Sequence, residues 1–200
     1  MVRKSRNLTE KKAIAIYCEG ESEVQYFNML ARKYHGANVH TEKLVVQSLH
    51  KNGLKLLIAA VAKRDALSHK RHVDQVYVVF DRDELSDQAL RTCQQYAQKH
   101  QLQLLFSSIN FEIWILLHFE YFGKDFNRQE LYRKLSGTHY FAADYQHFKG
   151  HPYDAVLYDR VQIAIQNATK LSQKHADMIR DRPFTNIHRY LGQIYGVTKF

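Results

Sequence analysis

Apolar positions in the first half of the chain follow two alternating rhythms. Ala13-Ile14-Ala15-Ile16-Tyr17-Cys18 is an unbroken apolar run, which predicts a strand buried on both faces and ending at Glu19. Val24, Phe27, Leu30, Ala31 and Tyr34 then recur at helical spacing, and Ser22 with Gln25 three positions on has the capping-box pattern of a helix start. Residues 39–47 predict a second strand. Leu54, Leu57, Ile58, Val61 and Ala62 form a helical stripe introduced by Asn52 and Gly53. Val76-Tyr77-Val78-Val79-Phe80 is β-branched and aromatic, so it reads as a third strand, and it stops at the charged cluster Asp81-Arg82-Asp83-Glu84. A helix over 86–100 and a fourth strand over 102–106 follow. Strands and amphipathic stretches that alternate in this way predict βα units, hence an α/β fold with a parallel sheet of about four strands flanked by helices.

The apolar stretch 111–119 carries Glu112 and is expected to be a buried helix. After Gly123 the periodicity weakens, and 136–153 reads as an irregular loop that mixes aromatics with His, Gly and Pro152. Residues 154–175 look helical, and Asn186 is placed to cap a last helix. The organisation expected is an α/β domain over 1–122 and a mainly helical C-terminal extension over 123–200 packed on the same core.

Composition narrows the class. Two hundred residues, 45% hydrophobic and 24% charged, suit one soluble globular core. No apolar run approaches the roughly 20 residues that a spanning helix needs. The chain starts with Arg3, Lys4, Arg6, Lys11 and Lys12 rather than a signal segment, so a cytoplasmic location without membrane contact is expected. The two cysteines suggest no disulfide framework, and the twelve histidines are scattered; His69/His72 and His147/His151 could each form a two-ligand fragment, but surface histidines are the preferred reading. A formal charge of +9 favours a polyanionic partner, nucleic acid first.

Candidate chemistry lies where strands one and three end. Glu19, Glu21 and Glu23 leave the first, and Asp81, Asp83 and Glu84 leave the third. In an open parallel sheet, functional groups collect at the carboxyl ends of strands. If these two strands are neighbours, several carboxylates meet in a small volume, and hard oxygen ligands of that kind suit Mg²⁺ or Mn²⁺. The plain alternative is a set of acids that begin helices or line a solvated turn. Glu112, in an apolar segment, needs a metal, a cation or a hydrogen-bond partner. Tyr140, Phe141, Tyr145 and Phe148, interleaved with His147, Lys149 and His151, suit base stacking or a minor core, and the core is the preferred reading.

These motifs carry a family resemblance. Cys18-Glu19-Gly20-Glu21-Ser22-Glu23 with Tyr26-Phe27 resembles the glutamate-glycine motif of Toprim domains, and Val79-Phe80-Asp81-Arg82-Asp83 resembles their Asp-x-Asp motif. The segment from Phe111 through Glu112 and Trp114 to His118 and Phe119 is closer still to the Phe-Glu-x-Trp signature of RloB-like proteins, and Pro183-Phe184-Thr185-Asn186-Ile187-His188 is similar to their C-terminal block. The chain departs from that pattern at Ser107-Ser108-Ile109, where the family usually has Ser-Asn-Pro. The resemblance implies a Toprim-like fold and a metal-dependent, phosphodiester-cleaving nuclease acting on DNA or RNA. Its metal ligands would be Glu19, Asp81 and Asp83, joined by Glu23. Independently of the resemblance, Glu112 is a catalytic candidate, because the strand over 102–106 would end on the same side of the sheet and deliver it to that crevice. The resemblance also implies a setting in bacterial phage defence, often beside an ATPase partner; the chain has no phosphate-binding loop sequence of its own, so a partner would supply any ATP. The alternative is a non-catalytic nucleic-acid-binding or regulatory subunit of such a complex.

Overall fold

The computed structural model describes residues 12–35, 42–68 and 73–200. The basic stretch Arg3 to Lys11, the beginning of the second predicted strand and the pair His69/His72 lie outside the described residues.

Each of the four expected strands is present: β1 (Lys12–Cys18), β2 (Glu42–Ser48), β3 (Gln75–Asp81) and β4 (Leu102–Ser108). Helices α1 (Glu21–Leu30), α2 (Gly53–Ser68) and α3 (Asp87–Lys99) connect them, α1 running on into a π-helical turn over Ala31–His35. The strand order is β2-β1-β3-β4-β5, with the first four parallel. From β1 the chain steps outward to β2 and then crosses back to β3, so the order reverses between β1 and β3. Ligand crevices of open α/β sheets form outside the carboxyl ends at such a reversal.

Alternation along the strands divides the core in two. Ile14, Ile16, Cys18, Tyr77, Val79 and Leu105 face a large cluster with α1, while Ala15, Tyr17, Val76, Val78, Phe80 and Phe106 face a smaller one with α2 and α3. The second half of the chain supplies α4 (Glu112–Leu116), α5 (Arg128–Leu135), α6 (Tyr145–Phe148), α7 (Asp154–Leu157), α8 (Val161–Ser172), β5 (Phe184–Thr185), a 3₁₀ turn over Ile187–Arg189 and α9 (Leu191–Tyr195). Leu131, Tyr145, Tyr153, Ala164 and Ile194 all join the larger cluster. Residues 123–200 thus complete the same core as the first half.

Several local expectations are corrected. The cap of α1 is Gly20, whose N–H donates to Glu23 Oε2 at 3.2 Å, and Ser22 is buried inside the first turn. A Cβ at residue 20 would stand 3.3 Å from that same oxygen, so glycine leaves room for the carboxylate. The segment 136–153 contains the short helix α6. The helix expected over 154–175 is broken after α7, where Lys33 Nζ takes the Tyr158 carbonyl and Arg32 pairs with Asp154. Asn186 does not cap a helix with its side chain. Its amide accepts from Phe106 N at 2.7 Å and donates to Leu104 O at 2.9 Å, which extends the ladder of the short antiparallel β5 along the edge of β4. A two-residue strand completed by a side chain has no periodicity to detect. Among the described residues no helix is long and apolar enough to cross a membrane.

Candidate acidic site at the carboxyl ends of β1 and β3

The ladder between β1 and β3 continues one residue past Cys18, because Glu19 N donates to Val79 O at 3.0 Å. The Asp81 N–H points back to Glu19 Oε2 at 3.4 Å. The two motifs are therefore held side by side by the backbone. Alternation in β3 then sorts the Asp-Arg-Asp turn. Phe80 points into the smaller core, so Asp81 points to the other face, and Arg82 returns to the side of α3. There the buried Arg82 guanidinium donates to Ile179 O at 2.7 Å and pairs with Asp87.

On the Asp81 face, α1 brings Glu23, and the turn after β4 brings Glu112 at the start of α4. Glu23 is 5% exposed, Asp81 7% and Glu112 0%. Asp83 lies further out with its backbone in the left-handed region at φ 42°, its N–H fixed on Ile109 O at 3.0 Å. That conformation is tolerated by Asp better than by most residues. Glu21, by contrast, is exposed and faces His50 at 3.5 Å, outside the cluster.

Two cations from the second half face these acids. Lys149 Nζ stands 3.0 Å from Glu112 Oε1 and donates to Tyr132 Oη at 3.1 Å. The contact to Glu112 is an ion pair by distance, yet its angle leaves both carboxylate oxygens without a well-directed hydrogen bond. Lys149 is aimed here because α6 ends at it and Gly150 turns the chain away at φ 87°, a conformation natural to glycine. Arg128, the first residue of α5, pairs with Asp83. The N-cap Asn127 anchors that helix start, accepting from Glu130 N while Glu130 Oε2 accepts from Asn127 N, each at 2.9 Å.

The electrostatic state follows from burial and crowding. Burial pushes the Glu19 carboxyl up to about 7; the Asp81 N–H opposes the shift and the Asp83 charge adds to it. Burial likewise pushes Glu23 up to about 7, a backbone hydrogen bond opposing it and the Glu112 charge reinforcing it. Asp81 is raised well above the carboxylate range, first by burial and then by Glu23, Glu112, Glu19 and Asp83. For Lys149, burial works against the ammonium, but the Glu112 charge and Tyr132 outweigh it and raise its pKa. Among the described residues, five carboxyls against two cations leave an excess of three negative charges when all are ionised, and that excess favours protons on the crowded carboxyls.

Glu19, Glu23, Asp81, Asp83 and Glu112 are thus all brought to one crevice. Among the described residues no three His, Cys, Asp or Glu side chains already form a group that could hold a metal ion. Asp83 is turned to Arg128 and Glu112 to Lys149. The donor set nonetheless fits a hard divalent cation: it is all oxygen, its like charges are crowded, and buried Asp81 Oδ1 has no hydrogen-bond partner. A cleft of about 950 Å³ lies elsewhere, along α3 and the start of β4. It has a single acid, Asp177, and glutamines 94, 98, 101 and 103, so it lacks the chemistry of the crevice.

Other candidates are accounted for by packing. Phe141, Tyr145 and Phe148 pack edge-on or tilted against one another and against Tyr153 in the core, which is the reading preferred from the sequence. His118 shares a hydrogen bond of 3.0 Å with Tyr26 Oη and another with Trp114 O, and burial drives its pKa down to about 3, so it stays neutral. His147 pairs with Asp144 on the surface. The cations Lys149 and Arg128 were not singled out for this site by the sequence; their only signal was a basic residue among aromatics and one at a helix start.

The geometry defines a class: an α/β chain whose parallel sheet gathers acids from its first half, and two balancing cations from its second, at the reversal of strand order. Within that class the chain belongs to the RloB-like protein family, whose family model matches residues 14–194. No curated protein and no solved structure gives a significant match.

Proposed function

We propose that this protein is a metal-dependent nuclease that cleaves phosphodiester bonds in nucleic acid, in the phage-defence setting that its family resemblance implies. The observation that carries the reading is the buried, mutually repelling carboxyl cluster at the strand-order reversal, with Asp81 at its centre. A cluster of this kind is costly to a fold, since each buried carboxyl is held protonated or repelled. It is economically explained by cations that enter it. Glu19, Glu23, Asp81 and Asp83 would hold Mg²⁺ or Mn²⁺, which when bound activates a water and offsets charge on the scissile phosphate.

The chain's own groups supply the rest. Without metal, burial holds the pKa of the Glu19 and Glu23 carboxyls at about 7; a cation bound by them would take those protons off, and one of the two suits the role of ligand or of base for the attacking water. Lys149 fixes the Glu112 carboxylate, and with Tyr132 closes the crevice on the side of α5 and α6. The excess of basic residues over acidic ones, +9, supports a polyanionic substrate. An ATPase partner would have to supply any ATP dependence.

The test is cleavage of mixed labelled DNA and RNA by purified protein with Mg²⁺, Mn²⁺ or chelator. Metal-dependent cleavage lost in Asp81→Asn is expected. The second reading, a binding or regulatory subunit, is favoured by the engagement of Asp83 with Arg128 in place of a preformed ligand set. Binding to nucleic acid without cleavage under every metal condition would select it.

A further inference from the structure

We propose that Arg128 is a substrate-binding cation stored on Asp83: a divalent ion that takes Asp83 frees the guanidinium to hold a phosphate of the nucleic acid. The proposal rests on the nuclease reading and adds a residue to it that neither the family match nor the sequence motifs assign.

The two cations of the crevice differ in how tightly they are held. Lys149 is paired with a carboxylate that has no exposure, and removing it would leave Glu112 charged and buried. Arg128 is 49% exposed and its partner Asp83 27%. A pair so open to water contributes little to stability, since solvent screens it. It is therefore the displaceable one.

Asp83 is not free to follow a departing guanidinium. Its backbone is pinned on Ile109 O and fixed at φ 42°, and its charge acts on both Glu19 and Asp81. The carboxylate stays with the acid cluster whichever cation holds it. Arg128 and a divalent ion thus compete for one ligand at the mouth of the crevice. A guanidinium also presents a planar fork of donors that matches a phosphate as well as a carboxylate, so release from one prepares it for the other. The exchange answers the main electrostatic difficulty of the site, which is that an acid-lined crevice repels a polyanion until cations enter. It also makes capture of the phosphate conditional on the metal.

The experiment measures metal and oligonucleotide binding separately, without relying on turnover. Wild-type, Arg128→Ala and Arg128→Lys proteins, checked for equal melting temperatures, are titrated with Mn²⁺ by calorimetry in the absence of nucleic acid. Each is then titrated with a fluorescent oligonucleotide in chelator and in Ca²⁺. With its competitor gone, Arg128→Ala should bind Mn²⁺ about fivefold more tightly. It should bind the oligonucleotide about tenfold more weakly in Ca²⁺, and unchanged in chelator, where the wild-type guanidinium is occupied. Arg128→Lys should fall between the two in both titrations. Unchanged or weaker Mn²⁺ binding in Arg128→Ala overturns the proposal and leaves the nuclease reading standing. Equal loss of oligonucleotide affinity with and without metal does the same. A wild-type protein that binds no divalent ion overturns both.

Discussion

Glu23→Gln isolates the energetic cost of the acid cluster. The Glu23 carboxyl is 5% exposed, and its pKa stands at about 7 against an ordinary 4.5. Below pH 4.5 the folded and unfolded chains both hold the proton, and the group has no effect on stability. Between 4.5 and 7 the unfolded chain releases it first, so rising pH favours unfolding; above 7 the loss is complete. At roughly 1.4 kcal/mol per pH unit between the two pKa values, the loss is about 3 kcal/mol. The figure is a ceiling for one residue, because Glu19, Asp81 and Glu112 share the same repulsion. Glutamine is nearly isosteric, still accepts from the Gly20 N–H and carries no charge at any pH. Metal-free Glu23→Gln should therefore melt close to wild type at pH 5 and above it at pH 8. For a chain of this length 3 kcal/mol corresponds to about 6–12 °C. Thermal melts in chelator at the two pH values make the measurement, and excess Mg²⁺ at pH 8 should close the gap by stabilising wild type. A variant that melts at or below wild type at pH 8 in chelator would refute the claim that burial, reinforced by the neighbouring carboxylates, makes the ionised Glu23 costly.

Lys149→Met should destabilise the protein by about 3 kcal/mol, because Glu112 is left buried without its cation, and adding Glu112→Gln to it should restore most of the loss in a urea titration; independent, additive losses would show that the 3.0 Å pair is not the link between them. Glu112→Gln alone should keep the melting temperature near wild type while lowering cleavage, and a sharp fall in melting temperature with cleavage retained would make Glu112 purely structural. Binding to nucleic acid in chelator should persist and weaken steeply between about 50 and 200 mM salt, as expected of phosphate contacts by a basic surface, and an affinity that stays flat across that range would assign the +9 charge to another purpose.

The first half of the fold was legible because burial enforces pattern there. A strand sandwiched between two layers must be apolar throughout, so Ala13 to Cys18 and Val76 to Phe80 announce themselves, and a stop at Glu19 or Asp81 marks where the layers end. The acids could be assigned to strand ends for the same reason, and Glu112 to a buried helix start. What was not legible depends on contacts distant in sequence. Gly20 outcompetes Ser22 as cap because the Glu23 side chain folds back on it. Asn186 serves a strand edge 80 residues earlier. Lys149 faces Glu112 across 37 positions, and nothing in the local composition around Tyr145 and Phe148 distinguishes a buried-site lysine from a surface one.

That last pairing bears on how the chain is divided. Divided into a domain over 1–122 and a helical extension packed on the same core, the chain holds every acid of the site in its first part. Charge balance ties the second part to it. The five carboxyls come from the residue after β1, from α1, β3, the turn after β3 and α4, whereas both cations that face them among the described residues come from beyond residue 123. The same segment supplies Leu131, Tyr145 and Tyr153 to the core beneath Glu112, and β5 to the edge of β4. Without it, Glu112 would lose both the ion that pairs with it and the layer that buries it, and the acid cluster would face water with no fixed counter-charge. In this protein the residues that make the crevice acidic and the two described cations paired with them belong to opposite halves of one fold, so the site's charge balance draws on both.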